Sequence, residues 1–219
     1  MSSETNEALD FGDSVGKANT SRVNVNWRAV RATLDQIGHK WHPSIIDELL
    51  VESPQRFSEL EERLDGISSA TLSNSLEDLQ QKKLVTRSVQ GTRPVRVQYG
   101  LTERGRSFEP VLVSLKNWGK ANVCTKRFLQ NKYHPEIIYL LMFNERLYFA
   151  DLKDSIGLAN KSLSDSLERL ENIGIVARTV ENKKPVRVSY SITERGESLS
   201  PVFQSLSTWG ERELEIENR

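Results

Sequence analysis

Residues 72–119 of this 219-residue chain recur as residues 163–210, without a gap, at an offset of 91. LSNSLEDL matches LSDSLERL, PVRVQYGLTERG matches PVRVSYSITERG, and PVLVSLKNWG matches PVFQSLSTWG. About half the positions in this stretch are identical. Upstream the offset becomes 92, so that Lys40-Trp41-His42-Pro43 faces Lys132-Tyr133-His134-Pro135 and Ile45-Ile46 faces Ile137-Ile138. One residue has been dropped between LDGI of the first copy and IGL of the second. Each copy, at about 80 residues, is long enough for a small core of its own and too long for one unit of a solenoid. The repeat therefore predicts two tandem domains, 22–120 and 121–219. They follow a tail, 1–21, rich in Ser, Asn, Asp and Gly and without apolar periodicity, which reads as flexible.

Composition narrows the class. Hydrophobic residues make up 37% and charged residues 27%, which excludes collagen-like and wholly disordered chains. The longest apolar run, 137–143, falls far short of the roughly 20 residues that span a bilayer, and no basic start leads into an apolar signal core. The expectation is a cytoplasmic protein without a membrane partner. The single cysteine, Cys124, forms neither an intrachain disulfide nor a cysteine metal cluster.

Within the first copy, Asn26 opens a helical pattern with Trp27, Val30, Leu34 and Ile37 on one face, ending at Gly38. His42-Pro43 starts a second helix carrying Ile45, Ile46, Leu49 and Leu50, closed by Pro54. RFSELEERL spaces Phe57, Leu60 and Leu64 as a short helix, with Gly66 as its stop. Ser68 then caps a helix whose narrow stripe is Leu72, Leu76 and Leu79. After Lys83 the period changes to two. LVTRSV and PVRVQY read as strands joined by Gln90, Gly91, Thr92 and Arg93, and Thr102 caps a closing helix bearing Phe108, Val111, Leu112 and Leu115. A short helix, a Gly turn, a second helix and a hairpin make a helix-turn-helix with its wing. The fold expectation is mainly α with small β-hairpins (α+β): two tandem winged helix-turn-helix domains.

GHKW at 38–41, RFSELEERLDGIS at 56–68, LSNSLEDL, PVRVQYGLTERG and PVLVSLKNWG together resemble the HxlR-type winged helix-turn-helix transcriptional regulators of the MarR-like group. The resemblance covers almost all of the first copy, and of the second all but the RFSEL-type segment. It implies double-stranded DNA binding and transcriptional control, usually by a dimer on two half-sites. Three departures stand out. The domain is fused to a second copy, Glu77 and Glu168 occupy a recognition-helix position where the family often has Arg, and Asn26-Trp27-Arg28 occupies the zone where some members carry a sensing cysteine.

DNA affinity rests largely on phosphate neutralisation, and here the zero net charge hides a local imbalance. From 82 to 106, Lys82, Lys83, Arg87, Arg93, Arg96, Arg104 and Arg106 oppose Glu103 alone, a net +6. From 173 to 197, Arg178, Lys183, Lys184, Arg187 and Arg195 oppose Glu181, Glu194 and Glu197, a net +2. The first domain is thus expected to bind DNA more strongly. Base contacts are expected from the outward early turns of the recognition helices: Ser69, Ala70, Ser73 and Asn74, with counterparts Asn160, Lys161, Ser164 and Asp165. Thr92-Arg93 and Lys183-Lys184 at the wing tips, with Arg96 and Arg187 beside them, suit backbone or minor-groove contacts. Arg87 and Arg178 suit phosphate anchoring or an ion pair within the domain.

His42 and His134 lack a second ligand at metal spacing in both copies, so a packing role at a helix start is expected, and no cofactor is. Trp118 and Trp209 read as core or interface residues, and Cys124 as an inert thiol. No phosphate loop, nucleophile elbow or paired-acid motif appears, so the chain is not read as an enzyme. The leading reading is a sequence-specific double-stranded DNA-binding regulator, as a homodimer or an intrachain pseudo-dimer. The pairing surfaces are the closing helices (Phe108, Val111, Leu112, Leu115; Leu199, Val202, Phe203, Leu206) and the first helix. The alternative is a winged-helix protein-interaction or dimerisation module with reduced or lost DNA binding, which the acid-bearing recognition helices favour.

Overall fold

A computed structural model describes residues 25–91, 95–121, 133–181 and 186–216. The predicted tail, both wing tips and Cys124 lie outside the described residues. The first copy contains α1 (Trp27–Ile37), α2 (His42–Val51), β1 (Gln55–Arg56), α3 (Phe57–Arg63), α4 (Ser69–Gln81), β2 (Val85–Gln90), β3 (Arg96–Leu101), α5 (Glu103–Arg106) and α6 (Glu109–Ala121). The second contains α7 (His134–Phe143), β4 (Leu147–Tyr148), α8 (Phe149–Ile156), α9 (Asn160–Asn172), β5 (Val176–Glu181), β6 (Arg187–Ile192), α10 (Glu194–Glu197) and α11 (Ser200–Glu213). By packing, these form two units. One is built from residues 133–197, the other from residues 25–121 together with 198–216.

In the larger unit, α1 begins where expected, with the Asn26 side chain accepting from the Ala29 amide. The apolar stripes meet in one core of Ile45, Ile46, Leu49, Leu60, Leu72, Leu76, Leu79, Leu84 and Phe108, all at most 1% exposed. The chain reverses between α3 and α4 at Gly66, whose φ of 81° lies in the left-handed region that favours glycine. Two details differ from the sequence reading. First, the wing is a three-stranded sheet of order β1-β3-β2, because Gln55 and Arg56 pair with Tyr99 and Gln98. Gln55 is buried and its amide donates to the carbonyls of Glu48 and Glu52 at 2.8 and 2.7 Å, tying the strand to the end of α2. Second, the closing helix is broken into α5 and α6. Pro110 has no N–H to offer the Arg106 carbonyl, so the helix restarts at Glu109.

The smaller unit repeats the helix-turn-helix and wing, with sheet order β4-β6-β5 and a core of Ile137, Ile138, Leu141, Leu152, Leu163, Leu167, Leu170 and Ile175. The RFSEL-type segment, unrecognised in the second copy, is present as β4 and α8. Both α3 and α8 begin with the same backbone cap, the Arg56 amide donating to Glu59 at 2.6 Å and the Tyr148 amide to Asp151 at 3.0 Å. The caps of the next helices differ. Ser68 Oγ accepts from the Thr71 amide at 3.2 Å, whereas Ala159 gives α9 no side-chain cap. Ser68→Ala is expected to cost about 1 kcal/mol and Ala159→Ser to contribute a similar amount. Denaturant midpoints and amide exchange in the first turns of α4 and α9 measure both.

The last helix, α11, belongs to the larger unit, where it packs against α1 and α6. Thr33 Oγ1 donates to the Leu206 carbonyl at 3.0 Å, and the Asn26 amide to Ser207 Oγ at 2.9 Å. Gly210 brings the backbones together: a Cβ there would lie 2.4 Å from the Ala29 carbonyl oxygen. Between α6 and α11 the contacts are reciprocal. Ser114 and Ser205, equivalent in the repeat, share a 2.8 Å hydrogen bond. Trp209 Nε1 donates to Ser107 Oγ at 3.0 Å, and its counterpart Trp118 donates to Ser198, the counterpart of Ser107, at 2.8 Å. This is the self-complementary pattern of a two-fold interface, formed here by two helices of one chain.

Candidate nucleic-acid interface

Burial fixes the outward face of each recognition helix. On α4, Leu72, Ser75, Leu76 and Leu79 are buried, which turns Ser69, Ala70, Ser73 and Asn74 to solvent. On α9, Leu163, Ser166, Leu167 and Leu170 are buried, and Asn160, Lys161, Ser164 and Asp165 are exposed. Each set of four therefore shares one face. Ser69 is already engaged, donating its hydroxyl to the Glu61 carboxylate of α3. Glu77 and Glu168 are exposed on the same helices.

Strand alternation distributes the wing cations. In the first copy Arg87 pairs with Tyr99 and Arg96 with Gln90, which places the two arginines on opposite faces of the hairpin. Both are exposed, and neither has an ion pair among the described residues. Their counterparts Arg178 and Arg187 occupy the same register opposite Tyr190 and Glu181. Arg187 lies with its guanidinium carbon 5.6 Å from the centre of the Tyr148 ring. The Tyr148 hydroxyl donates to Glu181 at 3.1 Å, and Arg146 pairs with the same carboxylate at 3.2 Å. Gln90 stands in the position of Glu181 in the first copy, without that charge. The predicted wing-tip residues Thr92, Arg93, Lys183 and Lys184 lie outside the described residues.

Some cations counted along the sequence are used inside the fold. Lys82 is bound to Asp78 at 2.7 Å and to the Asp35 carbonyl at 3.1 Å. Arg104 lies over the Trp209 ring, and Arg195 donates to the Ile173 carbonyl at 2.7 Å. Lys83, Arg87, Arg96 and Arg106 remain exposed in the first copy, and Arg178 and Arg187 in the second.

His42, missed as a part of this region, ties the start of α2 to the far end of α4. It is 1% exposed, and its Nε2 lies 3.3 Å from Asp78 Oδ2. Burial, aided by the Lys82 charge and opposed by Asp78, lowers its pKa from 6.5 to about 4. Burial also pushes the Asp78 carboxyl up, but Lys82 outweighs this and holds it below its ordinary value. The neutral ring has one N–H; on Nδ1 it donates to the Gln36 carbonyl at 3.4 Å, which leaves Nε2 beside the Asp78 carboxylate. Because the folded-state pKa is depressed, the stability contributed by neutral His42 is complete above pH 6.5 and is lost as pH falls toward 4. The loss should reach about 2–3 kcal/mol. Melting curves of the native chain and of His42→Gln across pH 7.5 to 4.5 check this (roughly the window in which a histidine titrates), and the variant should have the flatter profile. In the second copy Arg169 stands at the Asp78 position. Among the described residues no group of three or more metal-ligating side chains converges.

Two helix-turn-helix motifs, each joined to a three-stranded wing sheet, define a tandem winged-helix transcriptional regulator. The HxlR-like helix-turn-helix profile matches residues 36–127 and again 128–218, and the chain belongs to that family. The HTH-type transcriptional regulator YdzF of Bacillus subtilis is 38% identical over 89 residues, 41% of this chain and 82% of its own length. An HTH-type transcriptional regulator of Methanothermobacter thermautotrophicus is 37% identical over 92 residues, 42% of this chain and 70% of its own. Among solved structures, a MarR-family transcriptional regulator from Enterococcus faecalis aligns at 31% identity and a TM-score of 0.41, covering 47% of this chain and 93% of the other. No helix among the described residues is long and apolar enough to cross a membrane.

Proposed function

We infer that this chain is a sequence-specific, double-stranded DNA-binding regulator of transcription acting in the cytoplasm, with one reading unit in each of residues 22–120 and 121–219. The observation that carries this reading is the pairing, in the first copy, of a polar outward face on α4 with a wing whose exposed Arg87 and Arg96 have no acidic partner among the described residues. Ser69, Ala70, Ser73 and Asn74 are assigned to base edges, with Asn74 suited to adenine. Arg87, Thr92, Arg93 and Arg96 are assigned to phosphates and the minor groove. Asn160, Lys161, Ser164, Asp165, Arg178, Lys183, Lys184 and Arg187 take the equivalent roles in the second unit. There Asp165 opposes phosphate, and Glu181 competes for the wing cations, so the first unit contributes more of the affinity.

The reciprocal Trp118–Ser198 and Trp209–Ser107 bonds support a second element of the reading. The chain supplies within itself the helix pairing that single-domain relatives would draw from a partner, and works as a pseudo-dimer. It should then sediment near 25.0 kDa. A stable dimer at micromolar concentration contradicts this.

Selection of duplexes from a random pool, followed by titration of the winner at several salt concentrations, tests the DNA reading. The expected slope of log affinity against log salt is about −3 to −6, with clear preference for the selected duplex over bulk competitor. A flat salt response without preference would favour the docking-module alternative.

A further inference from the structure

The first turns of α4 and α9 occupy equivalent places in the repeat and carry different hydrogen-bonding chemistry. In the first copy the Ser69 hydroxyl, in the first turn of α4, donates to the Glu61 carboxylate of α3. A carboxylate has no hydrogen to give, so this bond uses the only hydrogen the Ser69 side chain has. What the corner presents outward is then lone pairs alone, on Ser69 Oγ and on Glu61. Ala70, beside Ser69, is exposed and its side chain adds neither donor nor acceptor.

In the second copy each of these positions is changed. Lys153 stands for Glu61, Asn160 for Ser69 and Lys161 for Ala70. All three are exposed, and neither lysine is ion-paired among the described residues. Further along the same face Asp165 replaces Asn74, while Ser164 keeps the serine of Ser73. From 57 to 74 the acids Glu59, Glu61, Glu62 and Asp65 oppose Arg63, a net −3. From 149 to 165 Asp151, Asp154 and Asp165 oppose Lys153 and Lys161, a net −1. The α4 corner is thus acidic and acceptor-only, whereas the α9 corner offers two ammonium groups.

The first turns of a recognition helix are the part that meets base edges. In the major groove guanine shows only acceptors, thymine an acceptor and a methyl group, and cytosine the N4 amino donor. Adenine sets its N7 acceptor beside its amino group, where it would face the Glu61 charge. Cytosine sets no acceptor there, so it suits the α4 corner best. Ammonium groups suit the O6 and N7 acceptors of guanine.

We propose that the two units read different half-sites, so that the preferred duplex is not a palindrome. Glu61 and Ser69 select cytosine where the α4 corner meets the groove, and Lys153 and Lys161 select guanine where the α9 corner does. Asn74 against Asp165 adds a second difference, adenine against cytosine. Glu61 is thereby a specificity-determining residue, although it lies on α3 and outside the recognition helix. The proposal rests on the DNA reading above, but DNA binding does not require it.

Selection of duplexes with the full chain should return a consensus of two unlike half-sites, one with cytosine and one with guanine at the corresponding position. A palindromic consensus, or one half-site alone, overturns the proposal and leaves DNA binding intact. No enriched duplex removes both. Reversing the selected cytosine–guanine pair of the first half-site should weaken binding at least about fivefold. Glu61→Gln, which supplies an amide hydrogen at the same reach, should abolish that preference and spare the preference at the other half-site. Lys153→Gln with Lys161→Ala should abolish the guanine preference alone. The readout is the ratio of affinities for the two versions of each duplex, with the melting temperature unchanged. A uniform loss on all duplexes with Glu61→Gln would make its role structural only and overturn the assignment, as would preferences that neither variant alters.

Discussion

Gly210→Val is expected to destabilise the larger unit by about 3 kcal/mol or more, because the new side chain must displace backbone. Its Cβ would lie 2.4 Å from the Ala29 carbonyl oxygen, 2.9 Å from the Ala29 carbonyl carbon and 2.5 Å from Thr33 Oγ1. Only the threonine oxygen can move by rotating a side chain. To make room, α11 must withdraw from α1, straining the Thr33–Leu206 and Asn26–Ser207 bonds. It also disturbs the perpendicular packing of Trp209 on Phe108, whose ring centres are 5.3 Å apart. At this chain length the lost stability corresponds to a fall in melting temperature of roughly 6–12 °C. Tryptophan emission should shift to the red as Trp209 loses its 2% exposed site. A melting temperature unchanged by the substitution would show that Gly210 does not lie against Ala29.

The second large effect is on DNA. Replacing Arg87 and Arg96 by Glu should lower affinity for the selected duplex about 100-fold and reduce the salt slope by about two, since each reversal removes one neutralised phosphate and adds a repulsion. The equivalent changes at Arg178 and Arg187 should cost less than about tenfold. The difference has a structural origin. Arg187 lies over Tyr148 and has Glu181 as its cross-strand neighbour, whereas Arg96 has neutral Gln90 there. Fluorescence anisotropy at two salt concentrations measures both terms. Equal losses from the two pairs would remove the ranking of the units and leave the DNA reading intact. No loss from either would remove the wings from the interface.

Much of this arrangement was legible along the chain. Leucines at 72, 76 and 79 fix the phase of α4, and that phase alone turns Ser69, Ala70, Ser73 and Asn74 outward. The alternation in VTRSVQ and RVQYGL gives the wing strands, and the offset of 91 carries both results to the second copy. Hidden features depended on partners far away in sequence. A two-residue strand such as Gln55–Arg56 has no period; it exists because β3 offers an edge and α2 offers two carbonyls. A count of charges has no direction, so Lys82, Arg104 and Arg195 were credited to the DNA face although Asp78, Trp209 and the Ile173 carbonyl claim them. The apolar faces of the closing helices were visible as pairing surfaces. That α1 would cover α11 was not, because identical motifs do not reveal which copy supplies the lid.

The lodging of α11 against α1 also orders events in time. Ala29, Val30, Thr33 and Ile37 are buried in the finished protein, yet the helix packed beside them follows much later, at a separation of 173 residues from Thr33 to its partner Leu206. The ribosome must therefore release α11 before α1 can be covered. Any product that stops short of α11 would display an oily, unfinished surface to proteases, so the cell would accumulate the regulator with this helix or scarcely at all.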